Sequence, residues 1–205
     1  MPTEFIHRYI PGTKSDATLL LLHGTGGDEE DLVPIGTALA PGVGLLSPRG
    51  QVLENGMPRF FRRFQVGVFD ENDIRFRAQE LADFVEASAQ RYHFDAAKVI
   101  AVGYSNGANI AAANLLLTPG LLRAAVLLRP QLPLTPDPLP TLPRIPVTLL
   151  AGTQDAIVAP SSTEALAKLL ARCGAQVEVH WQKAGHDLTP EDFGSVKQFL
   201  IKTIS

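Results

Sequence analysis

The chain is short of cysteine, of excess charge and of long apolar runs, and each shortage removes a class of protein. A single cysteine, Cys173, can form no internal disulfide, which excludes a disulfide-stapled scaffold and fits a reducing cytoplasm. Cys173 falls late in a helical pattern and reads as a packed thiol, with no catalytic part. The net charge of -3 and a sequence pI near 5.9 supply no positive field of the kind that attracts a phosphate backbone, so nucleic acid is not an expected partner. No apolar run comes near the ~20 residues of a membrane helix, and no membrane span is expected. The first residues, Met1 to Arg8, lack a basic start followed by an apolar stretch, and so do not read as a secretory signal.

What the chain does have is ordinary globular material. Its 205 residues are 45% apolar and 19% charged, enough to bury the core of a three-layer architecture, and one domain over 1–205 is the expectation. Short aliphatic runs alternate with helical patterns, the rhythm of a mainly parallel sheet covered by helices on both faces. Strands are predicted over Glu4–Ile10, Thr18–His23, Gly44–Leu46, Val99–Gly103, Ala124–Leu128, Val147–Ala151 and Val177–Trp181. Helices are predicted over Glu29–Leu39, Ile74–Tyr92, Asn106–Leu117, Ser161–Arg172 and Pro190–Ile201. In the second of these, Phe76, Leu81, Phe84, Val85 and Ser88 recur at helical spacing, which is ordinary core packing.

Two segments follow neither period and read as loops: Ser47–Asp73, rich in Gly, Arg and Phe, and Arg129–Pro146, with seven prolines in eighteen residues. A proline-rich stretch can serve as a ligand for an aromatic groove, but a stiff crossover between two strands is the better reading here.

Chemistry is written first in Gly103-Tyr104-Ser105-Asn106-Gly107, between an aliphatic run and the start of a helical one. This is the setting of a nucleophile elbow, a strand-to-helix turn so tight that a side chain at either glycine would crowd its neighbours. A serine hydroxyl is a weak nucleophile at neutral pH and needs an imidazole within reach, itself oriented by a carboxylate. Both partners should leave the carboxyl ends of later strands, in the order acid then histidine. Asp155 follows the run Val147–Ala151, and His186 follows Val177–Trp181. Of the other histidines, His7 and His180 lie in strand candidates, His23 ends one and His93 follows a helix, all structural positions. Asp187 is read as a helix-start carboxylate ahead of Pro190.

Acyl transfer also needs donors for the developing oxyanion. The backbone N–H of Asn106 is the first candidate and that of Thr25 the second, in the glycine-rich turn Leu22-His23-Gly24-Thr25-Gly26-Gly27-Asp28. As a phosphate cradle this turn lacks both the dinucleotide spacing and a Walker lysine.

With these residues in place the chain resembles the compact carboxylesterase and phospholipase family of α/β-hydrolases, which also contains the acyl-protein thioesterases. The resemblance runs nearly end to end, on Leu22–Gly27, Gly103–Gly107, Gly152-Thr153-Gln154-Asp155 with Val158, and Gly185-His186. Ser47-Pro48-Arg49-Gly50 and Met57-Pro58-Arg59-Phe60-Phe61-Arg62-Arg63 are similar to its bacterial predicted-esterase branch. The resemblance implies an α/β-hydrolase fold without a large cap domain. It also implies a serine carboxylesterase for small to medium esters, with a small-molecule ester as partner and neither a metal nor an organic cofactor.

Thioesterases of the family normally carry Gln after the serine, where Asn106 stands, which argues against protein depalmitoylation; acyl-thioester or lysophospholipid hydrolysis is the alternative among the enzymes. A binding module that kept the fold and lost catalysis is the rival from another class. Dimers occur in the family, and a homodimer is left open because no apolar stripe is clear enough to claim one. Phe60, Phe61 and Phe69 are expected at the pocket rim. Arg59, Arg62 and Arg63 either meet an anionic substrate group or form a solvated basic edge.

Overall fold

In the computed structural model, which describes residues 4–204, seven strands form one twisted sheet. Met1–Thr3, the start of the N-terminal segment read above, lie outside the described residues. The strands are β1 (His7–Ile10), β2 (Thr18–Leu22), β3 (Gly44–Pro48), β8 (Val99–Tyr104), β9 (Ala124–Leu128), β10 (Pro146–Gly152) and β11 (Gln176–Gln182). Their order is β1-β3-β2-β8-β9-β10-β11, with β1 antiparallel to β3 and every other pairing parallel. This mainly parallel sheet with helices on both faces is an α/β-hydrolase fold, as expected.

The central strands are mostly aliphatic because both faces are covered. Leu20 and Leu22 of β2 join one core with Ala101, Leu127 and Leu149, while Leu19 and Leu21 join a second core with Ile100, Val126 and Leu150. This alternation is the two-residue period of a strand. Helices α2 (Glu71–Tyr92), α3 (Asn106–Leu117) and α4 (Pro160–Arg172) cover the first core, and α1 (Val33–Leu39) and α5 (Pro190–Ile204) cover the second.

Helix α2 starts three residues before the predicted Ile74, because the Asp70 carboxylate accepts from the Asp73 N–H and caps the helix. Its buried stripe runs through Ile74, Ala78, Leu81 and Val85; Phe76, assigned to that stripe from its spacing, is exposed and lies beside the Arg77 guanidinium. Helix α1 is shorter than predicted, since it begins at Val33 with a proline in its first turn and leaves Glu29 free to pair with Arg49.

The largest departure from expectation is in Ser47–Asp73. Two hairpins stand there, β4 (Val52–Glu54) with β5 (Met57–Arg59), and β6 (Arg63–Gln65) with β7 (Val68–Phe69). Asn55 and Gly56, both at positive φ, make the first turn, a two-residue connection whose twist suits the flanking strands. The second loop, Arg129–Pro146, does remain irregular before β10 begins, and it packs Leu134, Leu142 and Ile145 against the first core. No helix among the described residues is long and apolar enough to cross a membrane.

Candidate active site

Ser105 stands on the turn between β8 and α3 with φ 52° and ψ -112°, strained backbone for a residue with a Cβ. The glycines around it permit the turn. A Cβ on Gly107 would meet the Leu22 carbonyl oxygen at 2.0 Å, and one on Gly103 would meet the Gly107 carbonyl oxygen at 2.5 Å. The Ser105 N–H is anchored on the Leu128 carbonyl of the neighbouring strand at 2.8 Å. The hydroxyl therefore projects above the carboxyl ends of the strands, where the loops after β10 and β11 converge.

Those loops bring Asp155 and His186 to it. His186 Nε2 is 2.9 Å from Ser105 Oγ, and His186 Nδ1 is 2.7 Å from Asp155 Oδ2. The other carboxylate oxygen of Asp155 accepts from the N–H groups of Ile157 and Val158, at 2.8 and 2.9 Å. Burial pushes the Asp155 carboxyl up, but the Val158 N–H, the His186 ring and the Ile157 N–H together hold it below the usual carboxylate range. The result is an acceptor-only carboxylate beside the imidazole, which selects the tautomer with its proton on Nδ1 and leaves Nε2 to receive one from the serine.

Thr25 and Asn106, the candidate oxyanion residues, are braced by one segment. The Phe60 N–H donates to Asn106 Oδ1 at 2.7 Å, the Gly26 N–H donates to the Pro58 carbonyl at 2.9 Å, and Arg59 Nη1 donates to Thr25 Oγ1 at 2.7 Å. His23 adds a further tie, donating from Nδ1 to the Gly24 carbonyl and accepting the Gly50 N–H on Nε2 at 2.9 Å. Burial holds His23 below the ordinary histidine range, so it remains a neutral strut.

A cleft of about 280 Å³ opens over Ser105 and His186, lined otherwise by Thr25, Tyr104, Arg63, Val66 and Ile157. Phe60 and Phe61, expected at its rim, are buried in the core at 3% and 0% exposure, and Phe69 packs edge-on against Phe61. They anchor the hairpins to the body instead of facing substrate. The Arg62 head is turned away as well, 61% exposed and paired with Asp70 and Asp73. Arg63 does line the cleft. Arg59 lies behind it, its side chain 3% exposed; burial and the neighbouring Arg63 lower its guanidinium to about 10 against the pull of Glu54.

Sequence reasoning missed Val66 and Ile157 of the lining, and it missed Arg129, whose guanidinium is fully buried behind the histidine loop. An arginine is almost never fully buried unpaired, but nothing local marks Arg129 as buried. Asp187 is exposed and does not start α5; Thr189 and Asp192 cap that helix reciprocally. Among the described residues no cluster of three or more His, Cys, Asp or Glu side chains is placed to hold a metal ion.

Sheet order, elbow and the loops that bear Asp155 and His186 define the class as that of an α/β-hydrolase. Residues 9–204 match the phospholipase/carboxylesterase family, and the chain belongs to that family. It is 44% identical to the MhqD protein of Bacillus subtilis (strain 168), whose name specifies a hydrolase and no substrate, over 97% of this chain and 98% of that one. Among solved structures, a Bacillus cereus carboxylesterase superposes with a TM-score of 0.94 at 42% identity, covering 97% of this chain and 94% of the other. YahD, solved with malic acid, superposes with a TM-score of 0.91 at 32% identity over 98% and 100% of the two chains.

Proposed function

We propose that this ester hydrolase works through a serine nucleophile, splitting small to medium carboxylic esters by way of an acyl-enzyme on Ser105. The observation that carries the reading is the unbroken relay from Ser105 Oγ through both nitrogens of His186 to Asp155 Oδ2, at 2.9 and 2.7 Å, at the floor of a solvent-accessible cleft. Ser105 Oγ attacks the ester carbonyl carbon while its proton passes to His186 Nε2. The carbonyl oxygen takes the negative charge, facing the N–H groups of Asn106 and Thr25. Collapse breaks the bond to the alcohol, which leaves with the proton from His186. Water then gives a proton to the same nitrogen, attacks the acyl carbon and releases the acid, restoring the serine. No step requires a metal or an organic cofactor.

The test is a fluorophosphonate probe followed by peptide mass spectrometry, alongside hydrolysis of 4-nitrophenyl acetate. Labelling confined to Ser105, with parallel loss of hydrolysis, is expected. An unlabelled protein would be the binding module that kept the fold, and faster turnover of an acyl thioester than of the matched oxygen ester would move the reading to a thioesterase.

A further inference from the structure

The cleft holds one formal charge of fixed sign beside the relay, and no carboxylate offsets it in the lining. Arg63 donates from Nε and Nη2 to Glu54 at 2.9 to 3.1 Å, and among the described residues its Nη1 makes no hydrogen bond. Glu54 is shared, because Arg59 Nε also lies 3.1 Å from it. Two guanidinium groups therefore meet a single carboxylate, while the carboxylates of Asp70 and Asp73 are engaged by Arg62 on the outer side. Within the Arg59–Arg63–Glu54 cluster the cations outnumber the carboxylate by one, the balancing carboxylate lying on the outer side beside Arg62, and water is partly excluded there: the Arg63 side chain is 20% exposed and that of Arg59 only 3%. Desolvated charge of one sign favours a ligand of the other sign. Burial, and after it the neighbouring Arg63, lowers the Arg59 guanidinium, and an anion beside Arg63 would offset the second of these.

A basic edge that served only solubility would be free in solvent. Arg63 is instead held by a carboxylate that fixes its plane, which is how a fork of donors is preorganised for a second carboxylate. Val66, Ile157 and Tyr104 supply apolar wall for a short carbon chain in the same cleft.

We propose that the cleft selects short esters carrying a free carboxylate, and that Arg63, braced by Glu54 and backed by Arg59, receives that carboxylate. The proposal rests on the esterase reading for its reacting group, but the subsite can be tested without turnover. The carboxylate could sit on the acyl side or on the alcohol side of the ester. Titration calorimetry on Ser105→Ala protein compares monomethyl glutarate with dimethyl glutarate for the first arrangement, and acetoxyacetate with its methyl ester for the second.

In at least one pair the anion should bind roughly tenfold or more tighter than its neutral partner, the scale of one charge-assisted hydrogen bond. Arg63→Gln in the same background should abolish that preference, and Arg63→Lys, which keeps charge but loses the planar fork, should retain part of it. Arg62→Gln, whose head lies outside the cleft, should keep it in full. Should Arg63→Gln prove unfolded, the Lys variant and the loss of preference in 0.5 M salt decide the matter. Equal affinity for anion and neutral ester in both pairs overturns the proposal, as does a preference that survives Arg63→Gln. Hydrolysis of neutral 4-nitrophenyl acetate by the wild-type protein reports separately on the esterase reading, so the two can fail independently.

Discussion

Arg129 and Asp192 form a bidentate ion pair sealed from solvent, with Nη1 3.0 Å from Oδ1, Nη2 2.6 Å from Oδ2 and both side chains 0% exposed. The same guanidinium donates from Nε to the Gly185 carbonyl at 3.0 Å and from Nη2 to the Asp187 carbonyl at 2.8 Å, clamping the backbone on either side of His186. Asp192 in turn accepts the Thr189 N–H, tying the loop to the head of α5. Arg129 holds this place at φ 54°, a backbone region that costs a non-glycine residue about 1–3 kcal/mol and persists only where its surroundings over-determine it.

Removing the carboxylate charge tests the clamp. Asp192→Asn should leave a buried guanidinium uncompensated and destabilise the fold by about 3–5 kcal/mol, read from urea midpoints. In the fraction that stays folded, kcat should fall by much more than KM changes, because the cleft walls are intact while the imidazole loses its aim. A variant that is destabilised yet keeps the wild-type kcat would mean that the pair supports the fold without orienting His186.

The relay should behave as one unit. Ser105→Ala or His186→Ala should each lower turnover of 4-nitrophenyl acetate by ~10⁴-fold or more, and the double variant should fall little further. Asp155→Asn should retain more activity than either. Folded Ser105→Ala protein with above about a tenth of wild-type activity would show that another group attacks the ester.

Stability should fall on mild acidification. His23 is neutral and buried, its folded value lying below the ordinary 6.5, so below that pH the unfolded chain binds the proton more readily than the folded one. Its contribution is therefore complete above about pH 6.5 and is lost as the pH drops from there toward the folded value. The Asp155 carboxyl is also depressed, and its contribution fades only below its ordinary 3.8, in a separate window. Urea midpoints at pH 8 and pH 5.5 should differ in wild type, and the difference should shrink in His23→Gln. A wild-type midpoint that did not move between those pH values would contradict a neutral, buried His23.

Much of this was legible in the residues, for a definite reason. A parallel sheet buried on both faces writes its strands as aliphatic runs, and the elbow needs glycines where Gly103 and Gly107 stand, so sheet, elbow and loop ends could be placed in order. The hairpins are harder to read, although Asn55-Gly56 is the strongest short hairpin signal, because the glycine, aromatic and arginine content around it has the composition of a loop. That Phe60 and Phe61 point into the core is not readable from sequence, because facing is invisible in an irregular segment. Arg129 escaped because its partner lies 63 residues further on, and only the assembled fold turns a lone arginine after a strand into a buried clamp.

The wall over the cleft is hydrogen-bonded to the body of the fold, and this decides how the rate should depend on acyl length. The β6–β7 hairpin that carries Val66 is tied down at its base, where the Arg62 N–H donates to Asp73 Oδ2 at 2.7 Å and the Asp70 N–H donates to the Arg62 carbonyl at 3.2 Å. Arg63 fastens it to the other hairpin through Glu54. A mobile lid would need a hinge where these bonds are, so the cleft should stand open in water and show no surface activation. At about 280 Å³ it falls just under the ~300–1,000 Å³ of pockets that take drug-sized ligands. Each methylene that it can bury adds about 0.8 kcal/mol, or up to ~4-fold in kcat/KM. Those increments should stop near hexanoate, and longer chains left in solvent should be turned over more slowly. Initial rates on 4-nitrophenyl esters from acetate to palmitate, each followed through its micellar threshold, measure both effects. A jump at the threshold, or palmitate preferred to butyrate, would require a lid or a deep tunnel that this hairpin geometry does not provide.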